Sequence, residues 1–111
     1  MYNEEELFKL LSTTNKTNFE FKRHFLDRLK LRAQNSNAVP DDITEIQKIL
    51  LNRCPVYVDY QGDDEYKVFY DISEKYDLVI ILWLQVSSGS KIKLITVYPQ
   101  PVKRRFNKNG K

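Results

Sequence analysis

The chain has 111 residues, 41% of them hydrophobic and 30% charged, with a formal net charge of +3. That length suits one domain around one hydrophobic core, and the composition excludes a disordered or fibrous chain. The longest apolar run, Leu78 to Leu84, falls far short of the roughly 20 residues that a membrane-crossing helix needs, so no span is expected.

The opening Met1-Tyr2-Asn3-Glu4-Glu5-Glu6 is acidic and lacks the basic and apolar regions of a secretion signal, which points to a cytoplasmic protein. Cys54 is the single cysteine, so no internal disulfide and no cysteine metal cluster can form. It reads as a small, half-buried hydrophobe after a helix. Positive charge is unevenly spread: residues 103–111 hold Lys103, Arg104, Arg105, Lys108 and Lys111 with no acid, and this tail alone makes the chain basic. The chain therefore divides into a single α+β domain over residues 1–102 and a basic tail over 103–111. Such a tail neutralises nucleic-acid phosphates, or is simply a solvated end.

Glu4 to Leu11 has Leu7, Leu10 and Leu11 at helical spacing and acids in its first turn, which predicts a short helix. The polar stretch Ser12 to Asn18 ends it. Alternating large and charged residues from Phe19 to Lys22 predict a short extended entry, after which Phe25, Leu26, Leu29 and Ala33 form a stripe that predicts a helix from about His24 to Gln34. Asn35-Ser36-Asn37 breaks it. Pro40-Asp41-Asp42 opens another helix, with Asp42 and Glu45 spaced as a capping box and Ile43, Ile46, Ile49 and Leu50 on the buried side.

After Pro55 the period becomes two. Val56 to Tyr60 reads as a strand, Gln61 to Asp64 as a turn, and Glu65 to Ile72 as a strand with Tyr66, Val68 and Tyr70 on one face. Ser73 to Lys75 makes the next connection. Asp77 to Val86 suits a central strand buried on both faces, with Trp83 in the core. Ser87 to Ser90 turns the chain into a last strand, Lys91 to Tyr98, ended by Pro99 and Pro101. These short connections predict four strands in an antiparallel meander.

His24 is the only histidine, and its imidazole suits proton transfer near neutral pH. Arg28 and Arg32 follow at four-residue steps, so the three form one drifting stripe on a helix: an imidazole beside guanidiniums that can grip a phosphate. Taken alone, this spacing also fits an ordinary solvated face. Lys67 and Lys93 are candidate further phosphate contacts, or outward strand lysines that discourage edge pairing. Tyr57, Tyr60, Tyr66 and Tyr70 lie on adjacent strands, where they either stack on bases or pair with one another across the hairpin. Asp59, Asp63, Asp64, Glu65 and Asp71 gather around one hairpin; solvation of the turn is expected there rather than a metal site, and no cofactor is expected.

The segment from Phe19 to Arg32, with its His24, Arg28 and Arg32, resembles the opening of a family of small bacterial and archaeal domains. These run from a strand to a His-Arg-Arg helix, a second helix, a hairpin and a closing strand ending in a Thr-x-Tyr-Pro-like sequence. Here a second helix follows Asp42, and Ile95-Thr96-Val97-Tyr98-Pro99 stands at the matching end. The chain departs from the family at Ala33, where many members have glycine, and in its longer loop from Gln34 to Ala38; the helix from Glu4 to Leu11 lies outside the resemblance. That family is similar to the RelE-like toxins and the wider barnase, EndoU and colicin ribonuclease fold.

The resemblance implies N-terminal helices packed on one face of a four-stranded antiparallel sheet. It also implies metal-independent cleavage of RNA by attack of the 2′-hydroxyl on the adjacent phosphate. His24 would transfer the proton, Arg28 and Arg32 would clamp the phosphate, and Thr96 and Tyr98 would bond the phosphate or stack on a base. Lys67, Lys93, Lys103, Arg104 and Arg105 would add RNA contacts, and a small antitoxin would be the protein partner. Two rival readings use the same features: a non-catalytic RNA-binding or translation-regulating domain, and a protein-interaction module.

Overall fold

The first helix is set by its own opening residues. The side-chain oxygen of Asn3 accepts the Glu6 N–H at 2.8 Å, and the Glu6 carboxylate accepts the Asn3 N–H at 3.0 Å. This reciprocal cap starts helix α1, Glu4–Thr13, with three acids at its positive end. α1 runs two residues beyond the expected Leu11, and in its last turn the Thr13 hydroxyl donates to the Lys9 carbonyl at 2.9 Å. The structure is a computed structural model and describes residues 1–85 and 91–104. The expected turn at Ser87 to Ser90, and the tail residues Arg105, Lys108 and Lys111, lie outside the described residues.

A single 3-10 turn, Lys16–Asn18, leads into strand β1, Phe19–Phe21, and then helix α2, Arg23–Asn35. Helix α3, Ile43–Asn52, is capped by Asp42, whose carboxylate accepts the Thr44 N–H at 2.6 Å. Glu45 does not complete the expected capping box; its carboxylate turns to Lys48, at 3.3 Å. Four strands follow: β2 (Tyr57–Gly62), β3 (Glu65–Asp71), β4 (Tyr76–Gln85) and β5 (Lys91–Pro101). The β2–β3 turn is Asp63-Asp64, both at positive φ (51° and 65°), as a two-residue hairpin that follows strand twist requires.

The fold is α+β, but the sheet has five strands in the order β1-β5-β4-β3-β2, and it is mixed. The expected four antiparallel strands are β2 to β5. Phe19–Phe21, expected only as an extended entry, becomes a fifth strand parallel to β5, with Phe19 opposite Ile92 and Phe21 opposite Leu94. This placement follows from burial: Phe19 is 6% exposed in the core.

The helices cover one face of the sheet. Leu7 and Leu11 from α1, Phe25 and Leu29 from α2, and Ile46 and Leu50 from α3 share one core with Tyr66, Val68, Leu78, Ile80, Leu82, Leu94 and Val97 of the strands. The Phe21 and Phe25 rings, 5.6 Å apart, fix α2 to the Phe19 side of β1. Burying a large side chain of this kind contributes about 1.5–3 kcal/mol, and the core holds many.

Among the described residues the other face carries no helix, yet Phe69 and Val79, opposite each other on β3 and β4, are wholly buried there. Trp83 belongs to this face rather than to the core. Leu82 and Leu84 point at the helices, so Trp83 between them points away; it is half-buried, and its indole N–H donates to the Asp63 carbonyl at 2.9 Å. Cys54 is exposed rather than half-buried, its thiol 3.8 Å from the Glu4 carbonyl.

Candidate functional site

α2 is the basic element of the described fold. Residues 22–32 hold Lys22, Arg23, Arg28, Lys30 and Arg32 against one acid, Asp27. Because Phe25 and Leu29 turn into the core, the four-residue steps His24, Arg28, Arg32 climb one flank of the helix. His24 is exposed, while Arg28 and Arg32 are half-buried. Arg28 donates its Nε–H to His24 Nε2 at 3.3 Å, so imidazole and guanidinium are in contact as their spacing predicts. One turn further, Arg32 Nε is buried without a hydrogen-bond partner among the described residues. Among the described residues, Arg23, Arg28, Lys30 and Arg32 form no ion pair.

The other proposed site residues stand on the far side of the sheet. A bulge at Ile95, where Ile81 pairs with Thr96 but Leu82 with Leu94, shifts the alternation of β5. Val97 then faces the helices, while Lys93, Thr96 and Tyr98 face away. Thr96 and Tyr98 do share a face, the one opposite to that on which Phe25 and Leu29 of α2 pack.

On that helix-free face cations sit over rings. The Lys67 ammonium lies 5.6 Å from the Phe69 ring centre and 5.8 Å from that of Tyr98, and the Lys93 ammonium lies 4.7 Å from that of Trp83. These lysines cover aromatic surface. Lys93 also stands opposite Glu20, whose carboxyl is held below its usual range, chiefly by the Lys22 ammonium at 3.2 Å. Acids surround the face: Glu65 is opposite Trp83, Asp59 is opposite Lys67, and Asp71 is opposite Asp77. Lys67 and Lys93 thus stand among acids on this face. The tyrosines pair across strands, Tyr60 with Tyr66 at 5.0 Å and Tyr57 with Phe69 at 5.3 Å, and Tyr70 is fully buried.

Sequence reasoning passed over Tyr76. Its ring, 40% exposed, stands at the start of β4 between two open grooves. One, of about 570 Å³, runs between Ser36-Asn37-Ala38 and Ile72-Ser73. The second, of about 630 Å³, runs toward Pro101, Val102 and Lys103. An aromatic directly after a polar turn was the available signal. Lys103 and Arg104, from the basic tail, are exposed at this end of the sheet. Among the described residues, no three His, Cys, Asp or Glu side chains converge to hold a metal ion, and no helix is long and apolar enough to cross a membrane.

A family profile matches residues 5–82, from α1 into β4. The chain belongs to the MJ0788 family. The match includes α1, which lies outside the RelE-like resemblance, and all of α2; it stops before β5, the strand of Thr96 and Tyr98. No curated protein and no solved structure matches the chain.

Proposed function

We propose that this protein binds RNA through the His24-Arg28-Arg32 flank of α2. The observation that supports this reading is the cationic stripe itself: guanidiniums without carboxylate partners among the described residues, on a half-buried helix flank that begins at an imidazole accepting from Arg28. Guanidiniums present paired donors to phosphate oxygens, and each phosphate neutralised releases counterions. Arg23 and Lys30 add charge along the same helix, and Lys103 and Arg104 supply a second basic segment. The test is binding of a fluorescently labelled RNA over a salt series, with Arg28→Ala expected to weaken binding and flatten its salt dependence. Equal binding by wild type and Arg28→Ala would remove the reading.

A second reading, the metal-independent ribonuclease of RelE-like type, has one specific support: the His24–Arg28 contact joins a proton-transfer group to a cation. In that reading His24, Arg28 and Arg32 act on the phosphate, Thr96 and Tyr98 stand on the opposite face of the sheet, a small antitoxin is the protein partner, and the site of action is the cytoplasm. RNA incubated with the protein in EDTA distinguishes the two. Cleavage lost on His24→Ala, with the melting temperature kept, supports the enzyme; binding without cleavage supports the RNA-binding domain.

A further inference from the structure

The two grooves beside Tyr76 connect the two basic segments of the described chain. One is walled by Ser36, Asn37 and Ala38, which follow α2 directly and lie one helical turn beyond Arg32. The other is walled by Pro101, Val102 and Lys103, where the tail begins. Lys75 lines both, and the Val102 N–H donates to the Lys75 carbonyl at 2.9 Å, which holds the start of the tail against the β3–β4 turn. Within the turn, Ser73 and Tyr76 exchange two hydrogen bonds: the Ser73 N–H donates to the Tyr76 carbonyl at 3.1 Å, and the Tyr76 N–H donates to the Ser73 hydroxyl at 3.0 Å. The ring therefore projects from a braced loop. Glu74 is the one acid lining the grooves, an acceptor suited to an exocyclic amino group.

We infer that this end of the sheet is a base-binding site for single-stranded RNA, in which an unstacked nucleobase lies on Tyr76 while flanking phosphates meet Lys75 and Lys103 on one side and the Arg32 end of α2 on the other. The inference rests on the proposed RNA binding and adds the strandedness of the ligand. Charge complementarity selects the occupant: a mainly apolar groove around an exposed ring, rimmed by lysines and set between two basic segments, suits a ligand that alternates flat rings with anions. A duplex keeps its bases stacked and cannot fill it.

The test measures anisotropy of the full chain with a single-stranded RNA and with a duplex of the same sequence. Wild type should prefer the single strand. Tyr76→Leu, which keeps apolar bulk and removes the ring, should weaken single-strand binding about tenfold and leave duplex binding unchanged, while Tyr76→Trp should retain the preference. The melting temperature should hold in both variants, since the ring is exposed. If Tyr76→Leu leaves single-strand binding intact, or weakens both RNAs equally, the groove is not a base site, and binding through α2 stands. If wild type binds neither RNA, both readings fall.

Discussion

Arg28 and His24 are hydrogen-bonded along α2, the guanidinium Nε–H donating to imidazole Nε2 at 3.3 Å. As the acceptor, Nε2 carries no proton in this arrangement, so the neutral ring is held as its Nδ1–H tautomer. Long-range proton–nitrogen correlation spectra at alkaline pH should show that form in the wild type. Arg28→Ala should increase the Nε2–H form; an unchanged tautomer ratio would mean that the contact does not persist in solution.

Removing charge from α2 should change the salt dependence of RNA binding by a countable amount. For single strands, each phosphate contact contributes a slope of about 0.7 in log affinity against log salt. Combining Arg23→Ala, Arg28→Ala and Lys30→Ala should lower the slope by about 2. Changing Lys93→Ala, whose ammonium covers Trp83, should leave it nearly unaltered.

α2 is held to the sheet by Phe25 and Leu29, which are 0% and 3% exposed. Leu29→Ala should cost about 2–5 kcal/mol by urea unfolding, because it opens a void under the helix. Leu31→Ala, on the solvent side of the same helix, should stay within about 0.5 kcal/mol.

Tyr70 is fully buried, and its hydroxyl has no hydrogen-bond partner among the described residues. Burial pushes its phenol above the ordinary value of about 10. The folded chain therefore keeps a proton that the unfolded chain releases. Stability should be intact below about pH 10 and fall as the pH rises beyond it. Tyr70→Phe should raise stability near neutrality by about 1 kcal/mol, since an unpaired buried hydroxyl is removed, and should flatten the alkaline decline. Thermal melts from neutral to strongly alkaline pH check both parts.

The edge strand β2 is guarded by α1: the Glu4 carboxylate accepts the Val58 N–H at 3.0 Å. An uncovered edge of this kind pairs readily with another chain. Glu4→Ala should cost about 1 kcal/mol and increase self-association, read as a larger sedimentation coefficient at high concentration.

The three α-helices were legible because Leu7, Phe25, Leu29, Ile46 and Leu50 recur at helical spacing around recognisable breaks. The hairpins were legible from period two and the Gly62-Asp63-Asp64 turn. β1 was not, because its three residues pair with Ile92 to Leu94, far along the chain, and no local pattern records that partner. The continuous apolar run of β4 concealed its parity, so Trp83 read as core. At the site, the His24–Arg28 contact followed from a four-residue step. That Thr96 and Tyr98 share a face was likewise readable. Which face they share was hidden, since alternation separates two sides without saying where the helices lie, and the Ile95 bulge leaves no local signature.

The pairing of β1 with β5 also orders events during synthesis. Phe19–Phe21 can be hydrogen-bonded only after residues 92–94 have left the ribosome, so the support beneath α2 is completed late. A nascent chain would carry the helix's charges without a fixed platform. The proposed binding of RNA, which needs those charges aligned, must then wait until translation of β5 is finished.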